Sequence, residues 1–494
     1  MTFINSFSHI GGMNSQASPF LLAPNSQALL MGANVTYEPG AILKCPGYYR
    51  KVTTAQAGKN VGGAFDFIQI PGTQKLLYTC NDSTDDDTQL FYDNSGTPAE
   101  ITAAETAWAN FANISVEMES FIAHCFFAGY GSVDGHLPVG SLTGTTFSTS
   151  TNVTNMAQGK YIKRYRDRLY VANCRSGGTN YPYRVYFSSV PSSGAITWTP
   201  ATDYIDVDYS EEITGLYVNW DLLIIFTEER AYYYNQQTLK KLWDRGCTAH
   251  RTVKNNGMDM FFVNRDGAWT SRNAGEPQNI SGEVLNWFRN GNTANMFAEV
   301  TDEEYNVNVG DVTVRDVAYT NVVLTYNAPF QSWRGVELAD DIQIFAKFSN
   351  KTNDSTRLYM GDDNGVIFDQ AKYTDTTVYA THGAVSSISD GTAINSEVDF
   401  PPIVINPELY KTLREMIALA ERAQGVKLLY RIIDTATQDT SPYKPLMQLT
   451  KYINRENLAI LAGSILQIKM TEHGKSPYWK VYGLLYDLIA VGKN

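Results

Sequence analysis

At 494 residues the chain exceeds what one hydrophobic core ordinarily organises, so two or three domains are expected. Hydrophobic residues at 43% against 18% charged, with 31 Tyr, 22 Phe and 37 Gly, exclude disorder of the whole chain and tilt it toward strands and tight turns. The 51 acidic and 39 basic residues leave a net charge of -12, which argues against a surface built to grip phosphates; solubility is its ordinary meaning, and a wall that lets DNA pass without sticking is its other use.

The N-terminal stretch from Met1 to Ile10 lacks a basic start followed by an apolar run, so neither a classical export signal nor a membrane span is expected. The five cysteines, Cys45, Cys80, Cys125, Cys174 and Cys247, are widely spaced and contain no CxxC pair. They read as reduced core residues of a protein assembled in the cytoplasm, with no zinc site and no disulfide framework.

Residues 1–60 form an N-terminal arm, expected to pack on the following domain or on a neighbouring subunit. From 61 to 370, short apolar or alternating runs are separated by Gly, Asn and Asp clusters, the pattern of an antiparallel sheet protein. Lys75 to Cys80 leads through an Asp-rich loop to Leu90-Phe91-Tyr92, closed by Asn94-Ser95-Gly96. Arg168 to Val171 returns through Ser176 to Gly178 into Arg184 to Phe187. Leu222 to Thr227 and Ala231 to Tyr234 are joined by Glu228-Glu229-Arg230, too short a link for anything but a hairpin. Further hairpins are expected across Asn264 to Gly267 and Asp362 to Gly365. Recurring hairpins without a helical period fit a β-propeller of roughly six or seven blades, with a large sandwich as the alternative.

Residues 371–494 differ. Asn406-Pro407-Glu408 can cap a helix whose face would carry Leu409, Leu413, Ile417 and Ala420, and a helix is locally the better reading. Met416 to Leu419 can instead be a strand turning at Gln424-Gly425 into Val426 to Ile433. Alternation at Leu466, Ile468 and Met470 and the apolar C-terminal stretch give a C-terminal β-sandwich-like domain, so the fold class is mainly β, a propeller with an added sandwich.

No catalytic, cofactor-binding or metal-binding residues are assigned. Gly474-Lys475-Ser476 lacks the upstream Gly of a phosphate loop, where Lys469 stands. His9, His124, His136, His250, His382 and His473 stand apart and show no paired ligand spacing. Asp82, Asp85, Asp86 and Asp87, and Asp362, Asp363 and Asn364, offer hard oxygen ligands for Ca²⁺ but fit a solvated acidic loop better. The basic stretch Lys160 to Arg168 reads as an exposed strand face rather than a contact for DNA. Tyr48-Tyr49 and Tyr232-Tyr233-Tyr234 serve either as interface anchors or as core. Asn264 to Trp269 matches the Asp-box of propeller sialidases in neither Ser nor spacing, which leaves a glycan hydrolase or binder with little support.

The order Gly11-Gly12-Met13-Asn14, Asn34-Val35, Pro39-Gly40 and Lys44-Cys45-Pro46-Gly47-Tyr48 resembles the start of phage head-to-tail propeller proteins. Arg166 to Tyr170 with Val185 to Ser188 and Trp198, then Ile213 to Leu216 with Leu222 to Phe226 and Tyr232, continue it. Over about residues 10 to 370 the chain is similar to the tail-hub, or packaged-DNA-stabilisation, proteins of short-tailed bacteriophages, and more distantly to tail nozzle proteins. Cys45 stands where those families often carry Arg or Lys. The resemblance implies a non-enzymatic virion protein without cofactors, forming a homo-oligomeric ring, a hexamer, that extends the portal-adaptor channel. Such a ring retains packaged DNA and conducts it at ejection without sequence-specific binding, and it touches the portal or adaptor and a tail fibre or tailspike.

Overall fold

Tight turns set the architecture. At Ser95 and Gly96 φ is 57° and 89°, so both turn residues are left-handed, the turn whose twist matches antiparallel strands. It pairs Asn94 with Thr97 and folds Asp87–Asn94 onto Thr97–Glu100. Repetition of such hairpins builds a series of four-stranded sheets in the computed structural model, which describes residues 3–5, 12–16, 27, 29–38, 41–52, 59–69, 73–82, 87–111, 115–131, 133, 135–350, 355–372, 381–383, 391–404, 410–433, 441–462, 465–475 and 479–491.

The sheets are seven blades in chain order. Their inner strands are Asn60–Gln69, Ser115–Phe121, Gln158–Tyr165, Ile213–Asn219, Lys254–Asn255, Phe297–Thr301 and Ile342–Asn350. Each pair of neighbouring blades shares an apolar core. Phe67 and Leu77 of blade 1 meet Val116 and Phe127 of blade 2, and equivalent clusters follow around the ring. The last joins Tyr359 and Ile367 of blade 7 to Val61 and Tyr78 of blade 1, so the ring closes. The chain is therefore a seven-bladed β-propeller. Each large side chain buried between blades contributes about 1.5–3 kcal/mol.

Closure uses a strand from the other end of the chain. Blade 7 has three strands of its own, and Tyr48–Arg50 adds the fourth, pairing antiparallel with Phe368 to Gln370. Tyr48 is buried; its hydroxyl donates to Asp340 Oδ2 at 2.6 Å and accepts the backbone N–H groups of Ala339 and Asp340. Gly47 is needed beside it, since a Cβ there would lie 1.9 Å from the Thr381 carbonyl oxygen.

Blade 6 does not end at its outer strand. Ser332–Glu337 pairs in parallel with Leu29–Met31, and the sheet continues through Ser396–Asp399, Ile465–Glu472, Lys427–Ile433 and Lys444–Gln448. A second sheet runs from Ala33–Asn34 through Ile42–Lys44, Lys480–Val491 and Tyr410–Glu421 to Ile453–Ala462, with Phe3–Asn5 added against Lys480–Val491. Met416, Ala418 and Leu484 of this sheet share one core with Leu428, Ile468 and Met470 of the first, which makes the second body a β-sandwich. Across it lies a buried ion pair, Lys44 Nζ to Glu472 Oε2 at 2.8 Å, with exposures of 0% and 1%.

The helix expected around Leu413 to Ala420 is absent: Tyr410–Glu421 is a strand, and Asn406 to Leu409 lie outside the described residues. Met416, Ala418 and Ala420 are buried and alternate with half-exposed Ile417 and Leu419, a period of two. Partners on both edges, Ile453–Ala462 and Lys480–Val491, satisfy its backbone groups, and this pairing overrides the local helical spacing. After Gln424-Gly425 the chain crosses into the opposite sheet as Lys427–Ile433.

Candidate functional site

The inner strands surround the propeller axis, and their alternation decides what lines it. On Ser115–Phe121, Val116 and Met118 enter the core between blades 1 and 2, so Ser115, Glu117 and Glu119 project to the other face. They meet Lys163 of blade 3, Tyr217 of blade 4, Lys254 of blade 5 and Glu299 of blade 6 around a cavity of about 280 Å³. His250 and Arg251 enter the same space from the short 3₁₀ helix His250–Thr252 that precedes blade 5. A second cavity of about 440 Å³ opens toward the beginnings of the inner strands, and Ser115, Glu117, His250 and Arg251 line both.

The charges in this channel are mostly paired across blades. His250 Nε2 donates to Glu117 Oε1, while Glu117 Oε2 accepts the Ile162 N–H at 3.1 Å and lies 3.8 Å from Lys163 Nζ. Burial opposes ionisation of Glu117, yet His250, the Lys163 ammonium and the Ile162 N–H outweigh it and hold the carboxyl down at about 2. Burial pushes the His250 imidazole below its usual range, against the pull of Glu117. The pair is an imidazole N–H donating to a carboxylate. Gly215 makes room for the ring, because a Cβ there would come within 2.6 Å of His250 Nδ1. Lys254 and Glu299 bond at 2.9 Å between blades 5 and 6.

Burial raises the Glu119 carboxyl while Glu117 stays ionised. Two carboxyls driven apart in this way are what an acid and a base require, but both oxygens of Glu117 are already engaged. The arrangement serves first as a set of cross-links between blades.

The structure distributes the residues weighed from the sequence as follows. The basic stretch is a correction: Gln158–Tyr165 is the inner strand of blade 3, with Lys163 in the channel and Lys160 at its mouth. Arg164 lies over the Phe121 ring, and Arg166 pairs with exposed Asp221. His124 bonds Thr143, His136 bonds the Asn173 carbonyl, His473 lies near Glu397, and His382 is buried against the Tyr48 ring; His9 lies outside the described residues. Asp362 accepts the N–H groups of Asn364 and Val366, a turn cap, and Asp85 and Asp86 lie outside the described residues. Among the described residues no group of three or more His, Cys, Asp or Glu is placed to hold a metal ion.

Lys44 donates to the Gly474 carbonyl and Glu472 accepts the Gly474 N–H, so Gly474 belongs to a turn; Ser476 is outside the described residues. Tyr232 and Tyr234 pack against the core between blades 3 and 4, and Tyr49 donates to Asp369 at 2.8 Å. All five cysteines are buried.

Fold and site together define the class: a propeller with a charge-paired axis, joined to a β-sandwich by a shared sheet. No protein-family model and no curated protein matches the chain. Among solved structures it is similar to the β-propeller domain of the Trilobed protease from Pyrococcus furiosus, at 9% identity over 65% of this chain and 98% of that one, with a TM-score of 0.36. It is also similar to the AfRom2 CNH domain, at 8% identity over 66% of this chain and 100% of that one, with a TM-score of 0.38.

Proposed function

We propose that the chain is a structural protein of a bacteriophage virion, a tail hub or nozzle subunit that assembles into a ring, six copies in number, on the portal-adaptor channel. The observation that carries this reading is the sheet of ten strands running from blade 6 into the sandwich through Leu29–Met31. With Tyr48–Arg50 closing blade 7, the N-terminal arm ties both bodies together. A component that bears the pressure of packaged DNA needs such a body, without a weak linker between domains.

The two axial cavities, about 280 and 440 Å³, are far too small for a duplex whose major groove alone is about 12 Å wide. DNA therefore passes through the lumen between copies, and the net charge of -12 on each chain disfavours sticking of phosphates. The partners are the portal or adaptor on one side and a tail fibre or tailspike on the other. Among the described residues no helix is long and apolar enough to cross a membrane.

Antibody labelling of purified virions tests the reading. Label at the portal vertex, with cross-links to portal or adaptor, is expected; recovery of the protein only from the cytosol of infected cells would overturn it.

A further inference from the structure

The mouth of the axial channel carries a positive charge, that of Arg251, with which no carboxylate among the described residues forms an ion pair. The Arg251 guanidinium donates to the Gln343 carbonyl and lies 5.0 Å from the centre of the Phe297 ring. Glu117, the carboxylate that acts on it, is held by His250 and Lys163. Charges withdrawn from water ordinarily have a counter-ion, because desolvation without one is costly; Arg251 is half-buried, and the desolvation pushes its guanidinium down to about 10. A second cation, Lys160, sits 4.7 Å over the Tyr130 ring and 3.8 Å from Glu212.

Between these groups lies the 440 Å³ cavity, within the range of about 300–1,000 Å³ usual for small-molecule sites. Asn295 and Thr248 are on its wall, and Asn295 is exposed.

We propose that this cavity binds a carboxylate-bearing sugar, with the carboxylate on Arg251 and a ring hydroxyl on Asn295. The guanidinium fork matches a carboxylate through two parallel bonds. Tyr130 and Tyr161 supply aromatic walls for a pyranose body. Glu117 on the same wall sets the charge of the ligand: a phosphate dianion would be repelled, whereas one carboxylate on a neutral hydroxylated body answers the single unmatched cation.

The test is calorimetric titration of the full chain with glucuronate, glucose and inorganic phosphate. Saturable binding of glucuronate is expected, with glucose and phosphate each weaker by about tenfold or more, the size of one charge-assisted contact. Arg251→Gln should lose about tenfold in affinity and Asn295→Ala a few-fold, each with its thermal melt recorded as a check on folding. Absence of saturable glucuronate binding, equal binding of glucose or phosphate, or unchanged affinity in Arg251→Gln would overturn the proposal. Should Arg251→Gln fail to fold, Asn295→Ala and Lys160→Gln decide: weakened glucuronate binding supports the site, and wild-type affinity in both overturns it.

Discussion

Replacing Lys44 by Met should destabilise the sandwich by about 3–5 kcal/mol, the usual cost of breaking a buried ion pair from one side. The structure places this pair at the high end of such effects. Lys44 and Glu472 are 0% and 1% exposed at 2.8 Å, and burial already pushes the Lys44 ammonium below its ordinary range. With the lysine gone, the Glu472 carboxylate keeps the Gly474 N–H at 2.7 Å but loses its ammonium in a site closed to water. The loss is a large share of the ~5–15 kcal/mol that holds a typical domain together. Lys44→Met combined with Glu472→Gln removes both charges, and the Gln oxygen still accepts the Gly474 N–H, so the double variant should recover at least ~2 kcal/mol relative to Lys44→Met alone. Equilibrium urea unfolding of the wild type, both singles and the double measures this coupling. A single-variant loss below ~1 kcal/mol, or a double variant whose loss equals the sum of the singles, would refute the reasoning.

Tyr48→Phe removes a hydroxyl that serves one carboxylate and two backbone N–H groups, and should cost about 1–3 kcal/mol with earlier proteolysis at blade 7, read by limited digestion. Glu117→Gln leaves the Lys163 ammonium buried beside an uncharged amide and should cost about 3 kcal/mol, measured by chemical denaturation. Asp362 is 2% exposed, and burial raises its carboxyl from 3.8 to about 6. The folded state therefore holds its proton more tightly than the unfolded one, so this group favours folding below about pH 4 and loses that contribution as pH rises to about 6, by ~2–3 kcal/mol. Asp362→Asn should flatten that fall in a stability profile from pH 4 to 7; an unchanged slope would contradict it.

The blades were readable in the sequence wherever a turn carried its own signal. Asn264 to Gly267 and Glu228 to Arg230 form the expected hairpins, with Asn264 paired to Gly267 and Phe226 to Ala231. Ring closure was not readable, because Tyr48 pairs with Gln370 across most of the propeller and nothing local marks the partner. The strand Tyr410–Glu421 stood only as the alternative to a helix for the same reason: its hydrogen bonds go to distant strands, while its leucine and isoleucine spacing fits a helix equally well. The channel was misread through a different cause. An axis lined by polar groups gives the same apolar-polar alternation as a solvent-facing sheet, so Lys160 and Lys163 looked exposed. One faint signal of the site was present in Gly215, a glycine inside an otherwise good strand, where the structure packs His250.

The most direct test of the mechanical, ring-forming role is an asymmetric electron cryomicroscopy reconstruction of purified virions. The account requires seven-bladed density with its sandwich attached, repeated six times around the portal axis, with DNA in the space between copies rather than within any propeller. Virions whose portal vertex lacks this density, or DNA density threading a propeller axis, would contradict it.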